Sequence, residues 1–194
     1  TGAVVKGPLQ GALVYADNDG DGIGDGDPIM TGTDGSYTVS ATNPNATIIA
    51  VSGPNTVDTS SGETLTGITL KAPPGSTVVT PATTILEAQP DIEPQQLAIA
   101  LGIPTTASDG TAIDLTSFNP YSSDADPAAA LAVEKASQQV MVTIKAVSAA
   151  AEGAGMEVEK AFEQAMASVA EVVSEVAEKI DTSSPIALAE AEAS

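Results

Sequence analysis

The chain has no cysteine, no histidine, no arginine and no tryptophan, and its 194 residues include only three Tyr and two Phe. The lack of cysteine excludes disulfides and thiolate metal sites. Without His or Cys an enzyme would need paired carboxylates or a Ser/Lys arrangement, and no G-x-S-x-G turn is present. The expectation is a protein that is not an enzyme. Scarce aromatics mean that any core is built from Val, Ile, Leu and Ala, which favours thin, closely packed layers.

Positive charge is scarce as well. Six Lys stand against 26 Asp and Glu, for a formal charge of -20. A phosphate backbone needs a basic face, so nucleic acid is excluded as a partner, and anionic membrane surfaces are disfavoured for the same reason. No apolar run approaches the roughly 18 residues of a membrane span, so no membrane insertion is expected. An acidic chain of this kind stays soluble by self-repulsion and becomes compact when divalent cations neutralise part of its charge. Outside cells that cation is calcium. The chain begins at Thr1 with no charged and apolar leader, which reads as a mature secreted chain or an excerpt from a longer one.

Two periodicities divide the sequence. From Thr1 to about Ala72, short segments rich in Val, Ile, Thr and Tyr alternate with Gly, Asn, Asp and Pro. Ala3–Val5, Ala12–Ala16, Ser36–Ser40, Thr47–Ser52 and Leu65–Lys71 read as strands. Asp34-Gly35 signals a hairpin turn and Gly67 a bulge. Beyond Pro73 the signals are helical: Thr80-Pro81, Glu93-Pro94 and Asp126-Pro127 each put Pro in a first turn, where its missing N–H is not needed. Val133, Ala136, Val140, Ile144 and Val147 recur every three or four residues, and so do Val158, Phe162, Ala165, Val169, Val172, Val176 and Ile180. With a glycine-containing break at 151–155, these stripes predict a helical hairpin over about 127–180. Glu157, Glu163, Glu171, Glu175 and Glu178 fall off the stripe and read as a solvated face. The expected fold is α+β, with a small antiparallel β-sandwich over 1–75 and an α-helical region over 76–194 that ends in the hairpin.

The sharpest motif lies between 17 and 27. Asp17, Asp19 and Asp21 alternate with Asn18 and Gly20, and Gly22, Ile23, Gly24, Asp25, Gly26 and Asp27 follow. A hard cation takes six to eight oxygens at ~2.3 to 2.6 Å, so carboxylates and a carbonyl converging from one tight loop suit calcium. In EF-hand order Asp17, Asp19 and Asp21 are positions one, three and five, Gly22 is the turn, Ile23 offers its carbonyl, and Asp25 is position nine. Position twelve is Pro28 instead of a bidentate Glu, and the flanks read as strands, so the motif is not an EF-hand proper. Asp27 either supplies the missing ligand or joins Asp25 on a second ion. Elsewhere Asp109, Asp114, Asp124 and Asp126 fall in one loop stretch, where a second cation site is the alternative to the favoured structural reading, with Asp126 as a helix N-cap and Asp109-Gly110 as a turn. Asp58 and Glu63 read as turn residues.

The segment GPLQGALVYADNDGDGIGD followed by TGTDGSYTVS resembles calcium-binding β-sandwich modules of the collagen-binding B and serine-aspartate repeat B types. With APPGSTVVTPATTILEA and the stretch from LG to DLTSFNPYSSDADPAAALAVEKA, the chain resembles a module of large repetitive bacterial surface proteins, RTX-type adhesins among them. The resemblance implies a calcium-stabilised structural or adhesive module outside the cell. Two alternatives stand beside it. One is a module that binds a host-surface glycan or peptide through its calcium, which the shortage of aromatic surface disfavours. The other is a subunit of an extracellular fibre, in which copies of the chain assemble by strand and helix packing.

Overall fold

The computed structural model describes residues 1–180. Ten short strands precede four helices. β3 (Leu13–Asp17) pairs antiparallel with β4 (Asp25–Met30) and with β6 (Thr47–Val51), and β6 pairs with β9 (Thr69–Ala72), which builds a four-stranded sheet in the order β4-β3-β6-β9. β1 (Gly2–Val4) lies between β5 (Ser36–Tyr37) and β10 (Val78–Val79), and its pairing with β10 is parallel. β2 (Leu9–Gln10), β7 (Val57–Asp58) and β8 (Glu63–Thr64) form a third small sheet. The chain is α+β, strand-rich at its N-terminal end and closed by a long helix pair.

Local chemistry explains most boundaries. α1 (Pro81–Ala88) starts at Thr80, whose hydroxyl accepts from the Thr83 N–H while Thr83 Oγ1 accepts from the Thr80 N–H. That exchange satisfies two helix-end donors that would otherwise lack partners. α2 (Pro94–Ala100) starts at Glu93-Pro94. α3 (Pro127–Gly153) is capped by Asp126, whose Oδ1 accepts the N–H groups of Ala128 and Ala129, and α4 (Val158–Ala177) follows a turn in which Gly155 has φ +95. Gly67, expected as a bulge within a single strand, separates β8 from β9 with φ +66. A Cβ there would meet Val158 Cγ1 at 2.3 Å, so the glycine lets the start of α4 approach this loop. Asp34-Gly35 does turn tightly, with the Gly35 N–H on the Gly32 carbonyl and the Gly32 N–H on the Ser36 carbonyl, and Ser36–Tyr37 then pairs with β1.

The core crosses the expected boundary at 75. Val14, Leu70 and Val79 of the sheets form one buried cluster with Ile85 of α1, Leu97 of α2, Ile144 of α3 and Phe162 of α4. Val133, Ala136, Val140 and Ile144 are buried as their spacing predicts, whereas Val147 is half out of the core. The second stripe departs further: Phe162 and Ala165 are buried, but Val158, Val172 and Val176 are exposed while Ala161, Met166, Ala170 and Ala177 are buried. α4 packs on α1, α2 and β9 as well as α3, so its buried face turns away from the valine stripe. No helix among the described residues is long and apolar enough to cross a membrane.

Candidate metal centre

The loop from Asp17 to Asp25 joins two neighbouring strands of the four-stranded sheet. Asp17 ends β3 opposite Thr47 of β6, and its residue is 4% exposed, which anchors the loop at the sheet. Its carboxylate accepts two backbone N–H groups, from Gly20 at 2.7 Å on Oδ1 and from Gly22 at 2.9 Å on Oδ2. Asp19 Oδ1 accepts from the Asp21 N–H at 3.2 Å, and Asp21 Oδ1 accepts from the Ile23 N–H at 2.8 Å. This winding needs left-handed backbone at Gly20 and Gly22, with φ of 78 and 85. Gly24 is required for a different reason, because a Cβ there would fall 2.2 Å from the Cβ of Tyr15 on β3.

The result is convergence. One carboxylate oxygen from each of Asp17, Asp19 and Asp21 lies within 4.8 Å of the other two. Two oxygens bound to one ion at ~2.4 Å can be no more than about 5 Å apart, so the three fit the first shell of a single calcium. Asp19 and Asp21 are exposed, which leaves the outer side of the cluster open to water or to further ligands. Magnesium demands a tighter octahedron, which a glycine-rich loop does not impose.

The other candidate ligands are used differently. Asp25 opens β4 opposite Ala16, and its Oδ2 accepts from the Asn18 backbone N–H at 2.7 Å and from Asn18 Nδ2 at 3.3 Å. Asp27 sits exposed farther along β4, where the register with β3 shifts. Neither joins the converging set. Ile23 directs a side chain that is 69% exposed into solvent. Two contacts of this loop were not read from the sequence. Asn18 Oδ1 accepts the N–H groups of Thr42 and Asn43, and Asn43 Nδ2 donates to the Asn18 carbonyl at 2.8 Å, which ties the loop to the 42–45 turn. Lys71 Nζ, reaching over from β9, donates to the Gly22 carbonyl at 3.2 Å. The Asn-Pro-Asn run at 43–45 was the available signal for the first; nothing local marks the second.

Comparison with protein-family models, with curated proteins and with solved structures finds no match to this chain. The site therefore stands on its own geometry, and the other acidic groups supply the contrast. Asp109, Asp114, Asp124 and Asp126 line a cavity of about 560 Å³, yet each has a local partner. Asp109 accepts from the Thr111 N–H, Asp114 from Thr116, Asp124 from the Ser122 hydroxyl, and Asp126 from Ser108 and the start of α3. Bonds from Thr111, Ser122 and Ser108 hold the carboxyls of Asp109, Asp124 and Asp126 below the usual range. Among the described residues only Asp17, Asp19 and Asp21 converge as a metal-sized set.

Asp58 is more than a turn residue. Lys6 Nζ lies 2.9 Å from its Oδ2, with side-chain exposures of 9% and 4%, and Glu63 links the same lysine to Lys145 of α3. Burial pushes the Asp58 carboxyl up, but hydrogen bonds from Ser60 and Lys6 together with the Lys6 charge outweigh it and hold the group at about 2. Sequence separation hid the pair, since its members are 52 positions apart.

Proposed function

We propose that the chain is a calcium-stabilised, non-enzymatic module of an extracellular bacterial surface protein, with a structural or adhesive role. The observation that carries this reading is the meeting of Asp17, Asp19 and Asp21 within 4.8 Å, on a loop that closes two strands of the main sheet. Without a cation three like charges at that distance repel one another, whereas an ion turns the same arrangement into a clasp that holds the loop against the end of β3. The resemblance of residues 7–39 to calcium-binding β-sandwich modules supports the setting, as does the charge of -20, which keeps a chain dispersed in a calcium-rich medium. Asp25 then acts as the brace that holds Asn18, and Lys71 as the brace on the Gly22 carbonyl.

Calorimetric titration of the full chain with calcium tests this directly. The expected result is saturable binding with Kd of about 10⁻⁴ to 10⁻³ M, the range of extracellular calcium modules. Chelation with EDTA should then lower the melting temperature. No heat of binding, together with a melting temperature indifferent to EDTA, would contradict the proposal.

A further inference from the structure

The peptide that joins Gly22 to Ile23 lies between two charged groups. Its N–H donates to Asp21 Oδ1 at 2.8 Å, and its carbonyl accepts from Lys71 Nζ at 3.2 Å. A trans peptide holds those two atoms on opposite sides, so the lysine grips it from the side away from Asp21. Asp21 is one of the three carboxylates that converge. The grip is anchored at its root. Lys71 pairs with Ile49 of β6, its N–H donates to Thr84 Oγ1 at 2.9 Å, and its carbonyl accepts from Thr83 Oγ1 at 2.9 Å. Strand and helix thus fix its backbone from both edges. Its tip is not spent on an ion pair, since no carboxylate lies within 4 Å of it among the described residues. Yet Asp21, Glu87 and Glu163 line the same cavity, of about 550 Å³. Beside three acids, the ammonium takes a neutral carbonyl of the loop.

We infer that Lys71 is a positioning residue of the calcium site, which sets its affinity by orienting the Asp21 carboxylate through the Gly22–Ile23 peptide. The inference rests on the calcium reading of this loop. Partners that orient a metal ligand from behind govern affinity by about 10- to 100-fold. A cation on the carbonyl also polarises the peptide and strengthens the bond from its N–H, because hydrogen bonds in a chain reinforce one another. Charge alone acts in the opposite direction. A bystander ammonium near a divalent ion repels it, so deleting it from a surface site would tighten binding by about twofold to fivefold. Positioning and bystander charge therefore predict opposite signs for the loss of this one group.

Calorimetric calcium titration of the native chain and of Lys71→Met tests the inference. Methionine keeps an aliphatic stem without the ammonium, and calcium affinity should fall about tenfold. Lys71→Arg keeps a charged donor for the single carbonyl and should bind within about threefold of native. Lys135→Met takes the same charge from an exposed position on α3 and should leave affinity unchanged. In EDTA the melting temperature of Lys71→Met should match that of the native chain, since the bond it loses is an exposed one. Affinity in Lys71→Met at or above the native value would overturn the inference. So would an equal loss in Lys71→Arg or Lys135→Met, or a melting temperature in EDTA that falls with the substitution. A native chain that binds no calcium would overturn the calcium reading itself, and the inference with it.

Discussion

Two loops of this protein are rich in aspartate, and they use it differently. Between Asp17 and Asp21 the acids alternate with residues that include the left-handed Gly20, and their carboxylates turn toward one centre. Between Asp109 and Asp126 the acids are two to ten positions apart, and each takes hydrogen bonds from donors near it in the chain, at its helix end or, for Asp126, from Ser108 as well. Both loops give their carboxylates nearby hydrogen-bond donors, but only the first brings three of them within 4.8 Å of one another. Asp58 adds a third solution, a buried lysine. What decides the chemistry is the spacing of the acids and what lies between them, not their number.

The largest effect expected from disturbing this contrast falls on the lysine pair. Lys6→Met leaves the buried Asp58 carboxylate without its cation and should destabilise the fold by about 3 kcal/mol, with calcium affinity little changed. Acid gives the matching result in the native chain. The folded Asp58 carboxyl is held at about 2, below its unfolded value near 3.9, so its stabilisation is complete above about pH 4 and is lost as pH falls through 2. An acid titration of unfolding that is flat from pH 4 to 2 would contradict the pairing.

Next in size is the metal loop. Asp19→Asn with Asp21→Asn removes two charges without changing size, so saturable calcium binding should vanish while helical circular dichroism persists. The variant should also lose the stabilisation of about 2.7 kcal/mol that calcium gives at a hundredfold excess over Kd. Calcium affinity equal to the native value would place the ligands elsewhere. Smaller still is Asp126→Ala, which removes the cap of α3 and should lower the melting temperature by about 2 to 4 °C equally with and without calcium. Smallest is Asp109→Asn, which keeps an acceptor for the Thr111 N–H and should leave both melting and calcium binding nearly unchanged. A drop in calcium affinity from either of these last two changes would erase the distinction between the loops.

The features legible in the sequence were those set by nearby residues. Thr80-Pro81, Glu93-Pro94 and Asp126-Pro127 marked three helix starts because a cap and a proline act within one turn. The alternation at Asp17, Asp19 and Asp21 marked the converging carboxylates because a loop wound on glycines brings alternate side chains to one side. Distant pairing was not legible. β1 finds β10 some 75 residues on, Asp58 finds Lys6, and Asn43 anchors Asn18, and none of these leaves a periodic trace. The valine stripe of α4 was misleading for a related reason, since which side of a helix is buried depends on all its neighbours. Asp25 and Asp27 illustrate the limit within the loop itself: spacing suggested ligands, but once β4 begins, its ladder to β3 governs where their side chains go.

The most direct test of the central claim is thermal unfolding of the native chain in calcium chloride and in sodium chloride of matched ionic strength. Screening weakens repulsion among exposed charges in either salt, but only calcium supplies a centre that Asp17, Asp19 and Asp21 can coordinate. The melting temperature is predicted to climb with calcium, to saturate, and to move scarcely at all with sodium. Equal shifts in the two salts would mean diffuse screening and would contradict a calcium site in this loop.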